Sequence, residues 1–247
     1  MRVLVLGGTG EARDLARRLV TAGADVTSSL AGRVSRPALP VGDVRIGGFG
    51  GAAGLAEFLR EFAPTIVVDA THPFAATISA NAAAACAATS VPLLVVCRPG
   101  WTARAGDDWT RVSDIAAAAE HVRTSPAGTV FLTTGRRDLA VFADDDRHDY
   151  LVRIVDPPDV PLPPRTTLLL DRGPYDLDRE RALLQAHDVR LLVTKDSGGP
   201  LTVAKLDAAR ELGVPVLVVD RPPLPDGVTA VDTVDAVLSR LPGSAAG

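Results

Sequence analysis

Gly7, Gly8, Thr9, Gly10 and Glu11 stand directly after an apolar run at 3–6 and open a helical pattern at 11–22. Glycine at such a turn admits dihedrals that side chains resist, and it lets a pyrophosphate reach the backbone N–H groups. The helix that starts there adds about half a positive charge at its N-terminus. This is the chemistry of dinucleotide binding. Counted from Gly8, the fingerprint G-x-G-x-x-G/A is met at Gly8 and Gly10 but not at Arg13. A plain strand-to-helix turn would use the same glycines. The next apolar run, 25–30, ends in Thr27, Ser28 and Ser29, followed by Ala31, Gly32 and Arg33. An NAD site places Asp or Glu there to hold the ribose 2′-hydroxyl. Hydroxyls with a guanidinium suit a 2′-phosphate instead, because a carboxylate would repel its charge. Ser29 and Arg33 therefore point to NADP(H).

Other clusters follow later runs. Gly47, Gly48, Phe49, Gly50 and Gly51 precede a helical pattern at 51–62; they would let a ligand approach the backbone, or simply make a flexible loop. Asp69, Ala70, Thr71, His72, Pro73 and Phe74 follow the run at 65–69. Thr71 reads as a helix N-cap and Pro73 as a first-turn residue. Capping leaves Asp69 and His72 unexplained, and His72 is a candidate ligand contact. Arg136 with Asp138 follows the run at 129–133, Arg172 the run at 167–170, and Arg98 the run at 92–97. Arginines at strand ends of an acidic chain point to a polyanionic ligand.

Of the 26 basic residues only Lys195 and Lys205 are lysines. A sequence so biased toward Arg would write Arg wherever charge alone is needed, whereas lysine is a compact donor whose protonation shifts readily. Lys195, followed by Asp196, Ser197, Gly198 and Gly199, is read as orienting a substrate or relaying a proton. Lys205, one helix further on, reads as a surface residue. Asp144, Asp145 and Asp146 read as a solvated loop face, and Cys86 and Cys97 as small core residues. No Cys/His spacing suggests a metal, and there is no nucleophile elbow or Walker A motif. Neither Tyr150 nor Tyr175 is followed by lysine four residues on, so the Tyr-x-x-x-Lys pair of short-chain dehydrogenases is missing.

The elements that must position these residues alternate. Short β-branched runs at 3–6, 25–30, 65–69, 92–97, 129–133, 150–155, 167–170, 189–194 and 215–219 are separated by helical patterns, among them 74–89, 114–123, 178–187, 201–212 and 231–241. Strands apolar throughout must be covered on both faces. The expected fold is α/β: two Rossmann-like, doubly wound lobes with mostly parallel sheets and the active site in the cleft between them. One sheet of ten strands would be near the limit for an open sheet. The boundary is placed near 125–128, giving an NADP(H)-binding lobe at 1–125 and a substrate-binding lobe at 126–247. The five prolines of 156–165 demand an extended segment there.

Composition narrows the function. The 247 residues carry a net charge of −4 with 4% aromatics, which leaves neither the field nor the stacking platforms for nucleic acid. Two cysteines fit a reducing compartment. The opening residues are too short an apolar stretch for a signal peptide and no run approaches a membrane span, so the cytoplasm is the expected location. A monomer or small homo-oligomer is expected.

The motifs GGTGEAR at 7–13, SLAGR at 29–33, IGGFGG at 46–51, DATHPFA at 69–75, RGPYD at 172–176 and TKDSGG at 194–199 together resemble the precorrin-6A reductase family of cobalamin biosynthesis, in order and over nearly the whole chain. The resemblance implies NADPH-dependent reduction of the C18–C19 double bond of a tetrapyrrole rich in acetate and propionate groups. It puts the glycine-rich turn on Gly7, Gly8, Thr9, Gly10 and Glu11, the 2′-phosphate loop on 29–33, and the family's lysine on Lys195; Asp138 is carried over beside it as catalytic. Joined to the residue reading, Thr71 and His72 fall to the cofactor. Gly48, Phe49, His72, Arg136, Arg172, Lys195, Ser197 and Gly198 fall to the substrate. The nearest other readings are the cobalt-containing substrate of the anaerobic pathway, a non-catalytic NADP sensor, and a reductase or epimerase of a small metabolite. The 2′-phosphate assignment predicts a large preference for NADPH over NADH that Arg33→Ala abolishes; equal use of both cofactors by the wild type, in steady-state assays, would contradict it.

Overall fold

The computed structural model describes residues 1–32 and 38–241. They form two compact units, one of 1–32, 38–99 and 222–241 and one of 100–221, each built on a six-stranded, wholly parallel sheet. The first unit runs β1 (Arg2–Leu6), α1 (Gly10–Thr21), β2 (Asp25–Leu30), β3 (Asp43–Ile46), α2 (Gly51–Phe62), β4 (Ile66–Asp69), α3 (Ala76–Thr89) and β5 (Leu93–Val96). The second contains β6 (Trp109–Val112), α4 (Ile115–Thr124), β7 (Thr129–Leu132), a 3-10 helix (Arg136–Phe142), β8 (Asp149–Ile154), β9 (Thr166–Leu170), α5 (Leu177–Ala186), β10 (Val189–Lys195), α6 (Ala204–Leu212) and β11 (Val216–Val219). Then β12 (Thr229–Val231) and α7 (Val234–Leu238) return to the first.

The first sheet is ordered β12-β5-β4-β1-β2-β3 and the second β6-β11-β10-β7-β8-β9. Both units therefore use the same plan. Three strands build outward from the centre, and the chain then crosses back to place the fourth and fifth on the other side. The sixth position is filled reciprocally: β6, next in sequence after the first unit's fifth strand, pairs with β11, and β12, next after β11, pairs with β5. The boundary expected near 125 is thus corrected. Segment 100–125 belongs to the second unit because β6 hydrogen-bonds along β11 from Trp109↔Val216 to Val112↔Val219. Segment 222–241 belongs to the first because β12 pairs with β5. The helix expected over 231–241 is accordingly a strand end followed by a short helix. β3, β6 and β12 are absent from the sequence reading; all three lie at sheet edges, where short, partly polar strands suffice.

Burial explains the continuous apolar strands. In β1, Val3 and Val5 pack with Leu15, Leu19 and Val237 on one face, while Leu4 and Leu6 pack with Leu55, Leu59 and Ala85 on the other. Successive side chains point to opposite faces, so with both faces covered, residues 3–6 are all apolar and buried. Each such buried Leu or Val contributes about 1.5–3 kcal/mol. In α3 the alanines Ala82 and Ala85 are fully buried, which lets the helix lie close to β4, β5 and α2.

The second unit holds two buried polar clusters. Asp145 is not a solvated loop residue: its carboxylate accepts from Tyr150 Oη and the Arg147 N–H and pairs with His148 Nδ1 at 2.9 Å. Arg153 and Glu180, both buried, make a two-pronged ion pair, with the guanidinium 3.7 Å from the Tyr175 ring centre. Removing one partner strands the other charge in the core. Glu180→Ala should cost about 3–5 kcal/mol in urea unfolding, whereas replacing both residues with apolar ones should cost less; equal losses would show that the pair itself supplies the stability.

Candidate active site

In a parallel sheet the strand order reverses at a switch point, and the carboxyl ends of the two strands there leave a crevice for ligands. In the first unit that point lies between β1 and β4. Between β1 and α1, the Gly7 N–H donates to the Ser29 carbonyl at 2.9 Å. A Cβ on Gly7 would press on Ala12 and Leu30, each at 3.4 Å. Gly8 adopts φ +120° and has nothing within 4 Å of a would-be Cβ. Backbone at Gly8 is thus bare toward open space, as a diphosphate requires. The small residue against the turn is Ala12, buried at 3% exposure. Counted from Gly7, the fingerprint's last position falls on Ala12 but its second glycine on Thr9, so each count meets it only in part.

Thr9 holds this turn. Its hydroxyl accepts from the Ala12 N–H at 3.1 Å as helix N-cap and donates to the Ala70 carbonyl, in the loop after β4, at 2.7 Å. Glu11 pairs with Arg98 at 3.0 Å, so an arginine read as awaiting a polyanion faces a carboxylate of its own unit. Ser29 is buried and serves the turn through its carbonyl. Arg33 lies outside the described residues.

After β4, the expected cap is corrected. Helix α3 begins at Ala76 with no side-chain cap. Thr71 instead belongs to a turn organised by Asp69, whose Oδ1 accepts from the Thr71 N–H (3.0 Å) and hydroxyl (2.7 Å) and whose Oδ2 accepts from the Ser79 hydroxyl (2.5 Å). His72 is exposed, and its Nδ1 accepts from the Phe74 N–H at 3.2 Å. Asp69 is fully buried, and its role in holding the loop explains it.

The loop after β3 is shaped, not slack. Arg45 donates to the carbonyls of Gly47 and Gly48 at 2.6 and 2.8 Å, and its guanidinium lies 3.9 Å from the Phe49 ring centre. Gly47, Gly50 and Gly51 have positive φ, and a Cβ on Gly54 would fall 1.8 Å from the Phe49 carbonyl. Sequence reading missed Arg45; the signal available was a cation two residues before a glycine run, with an aromatic four residues on.

The second unit has its own switch point, between β7 and β10. There Lys195, the last residue of β10, pairs with Asp138 of the 3-10 helix at 2.5 Å, both side chains about one-fifth exposed. The two residues assigned to catalysis are therefore brought together. Ser197 donates its N–H to the Lys195 carbonyl at 2.7 Å, and Gly198 and Gly199 both take left-handed conformations. Gly135, before Arg136, has φ +92° and open space around it. Arg172, exposed, follows β9, three strand positions from Lys195 in the sheet order, or about 14 Å at the usual spacing. Asp196 is structural. It accepts from the Trp101 N–H (2.9 Å) and Arg111 (2.9 Å), and its carbonyl accepts from Arg221 (2.7 Å).

Lys205 is not on the surface. It is 4% exposed and donates to the Thr202 carbonyl at 3.0 Å. Burial, aided by the nearby charge of Arg153 and opposed by Glu180, brings its ammonium down to about 7.

The first unit, with the strand order of a dinucleotide-binding fold and bare backbone at its switch point, and the second, with a lysine–carboxylate pair at the corresponding place, define an α/β oxidoreductase of Rossmann type. The model of the family described as precorrin-6x reductase CbiJ/CobK matches residues 2–241. The precorrin-6A reductase of Rhodococcus erythropolis is 53% identical over 96% of each chain. The cobalt-precorrin-6A reductase of Priestia megaterium is 32% identical over 97% of each. A solved structure, CobK precorrin-6A reductase, superposes with a TM-score of 0.92 at 44% identity and covers 100% of this chain and 98% of that one. The chain belongs to the precorrin-6x reductase family.

The buried amine gives a pH prediction. Between about pH 7 and 10.5 the unfolded chain holds a proton at Lys205 that the folded one does not, so stability rises with pH across that window. Lys205→Met removes the dependence. Its stability relative to wild type should be greatest at or below pH 7 and should decline toward 10.5; urea melts of the two proteins that stay parallel across the window would refute the assignment.

Proposed function

We propose that this chain reduces the C18–C19 double bond of precorrin-6A to give precorrin-6B in cobalamin biosynthesis, with NADPH as the reductant. The metal-free macrocycle is favoured over the cobalt-containing one because identity is 53% to a precorrin-6A reductase against 32% to a cobalt-precorrin-6A reductase. The observation that carries the reading is the Lys195–Asp138 pair at the switch point of the second unit, in a family of reductases.

The residues present fit the cofactor. Gly8 leaves a space that a Cβ would enter, Gly7 and Gly10 flank it, and Thr9 fixes the backbone that would meet the diphosphate. Glu11, Ser29, Arg33, Thr71 and His72 complete the proposed nucleotide site. Bound NADPH supplies a hydride to one carbon of the double bond; the other carbon needs a proton. In this reading Lys195, held by Asp138, gives it. An ammonium fixed by one carboxylate is held in one orientation, and positioned general acids contribute about 10²–10⁴-fold. Gly48, Phe49, His72, Arg136, Arg172, Ser197 and Gly198 serve the macrocycle. The separation of Arg172 from Lys195 suits a wide substrate with carboxylates around its rim.

Mixing the protein with NADPH and precorrin-6A should change the macrocycle spectrum as NADPH is consumed. Lys195→Ala should lower kcat by about 10²-fold or more while calorimetry shows NADPH binding intact. Unchanged turnover in that variant would remove Lys195 from the mechanism.

A further inference from the structure

Trp101 touches both ends of the turn that follows β10. Its backbone N–H donates to Asp196 Oδ1 at 2.9 Å, and its indole Nε1–H donates to the Gly199 carbonyl at 3.0 Å. Between these two contacts lie Ser197 and Gly198, and both glycines of the turn are left-handed, a conformation cheap for glycine but not self-enforcing. The turn therefore takes its shape from outside. The Asp196 carboxylate is held further by Arg111 at 2.9 Å. A Cβ on Gly100 would lie 2.6 Å from Asp196 Oδ2, so the segment 100–101 is pressed against this carboxylate. Beneath the indole, the Lys205 ammonium stands 5.0 Å from the ring and also holds the Thr202 carbonyl. Trp101 is thus wedged between an ammonium on one side and the two ends of a glycine turn.

We infer that Trp101 is a positioning residue for the macrocycle: it fixes the turn at 196–199, and with it the chain on the C-terminal side of Lys195, without taking part in nucleotide binding. This rests on the reading of Lys195, Ser197 and Gly198 as substrate-binding. The indole is neither acid nor base here; it acts by removing conformations the turn would otherwise sample, which preorganises the groups that meet the substrate.

Trp101→Phe keeps an aromatic ring and the backbone N–H, deletes the indole hydrogen bond and trims the ring. Losing one such bond is worth about tenfold. In the full-length protein, the KM for precorrin-6A should rise about tenfold, with kcat reduced less and the Kd for NADPH unchanged. Hydrogen–deuterium exchange should quicken in peptides covering 196–203 and stay as in wild type in the first unit. Should Trp101→Phe fold poorly, Asp196→Asn cuts into the other end of the turn and must give the same split between KM and NADPH affinity. A wild-type KM in a folded variant overturns the inference and leaves the proposed function standing. Equal losses of macrocycle and NADPH affinity overturn it too, since they indicate general loosening. A wild-type protein that does not reduce precorrin-6A fails the functional reading instead, and exchange at 196–203 still decides whether Trp101 holds the turn.

Discussion

The hydroxyl of Thr9 is the smallest part on which the first unit's site depends. Bare backbone is what a diphosphate needs, but glycine backbone has no preferred shape of its own. Thr9 resolves the conflict with two hydrogen bonds. One caps α1 at Ala12, and the other reaches the Ala70 carbonyl after β4. The two strand ends that flank the switch point are thereby tied by a single oxygen. The single hydroxyl proton is committed to the Ala70 carbonyl, so the side chain has no second donor to offer. Asp69 repeats the solution one loop away, holding Thr71 and Ser79 from beneath.

The same problem recurs in the second unit, with a different answer. There the glycines follow the fourth strand rather than the first, and the restraint comes from Asp196 and Trp101. What the site carries differs accordingly. The first unit offers N–H groups and a helix N-terminus; the second offers a lysine and a carboxylate in contact. One plan, used twice in one chain, carries bare glycine backbone at its switch point in one copy and a lysine–carboxylate pair in the other. The reciprocal placement of β6 and β12 means that neither half of the sequence contains all six strands of its own sheet.

Much of this is legible in the residues. The central strands could be read because they are buried on both faces and so lack polar positions. The glycine turns could be read because they sit where those strands end. Three of the four edge strands could not: Asp43–Ile46 and Trp109–Val112, for instance, are short and partly exposed, and nothing local distinguishes them from loop. The boundary failed for the same reason, since it turns on which sheet an edge strand joins, a long-range fact. Asp145 and Lys205 were read by residue type as surface groups. Each is buried because a partner compensates: Tyr150 and His148 for the carboxylate, the Thr202 carbonyl for the amine. Sequence shows the cost of burying a charge but not the partner that offsets it.

The arginines teach the converse. Arg98, Arg136 and Arg172 at strand ends suggested a polyanionic ligand, and of these Arg98 is engaged by Glu11. Where a guanidinium is used, it braces carbonyls and carboxylates in a planar fork, as Arg45 does at Gly47 and Gly48. A group that must give up a proton cannot be an arginine, whose charge is permanent. A lysine facing a carboxylate at the end of a central strand, in a chain that otherwise writes arginine almost everywhere, stands where charge alone would not have required it.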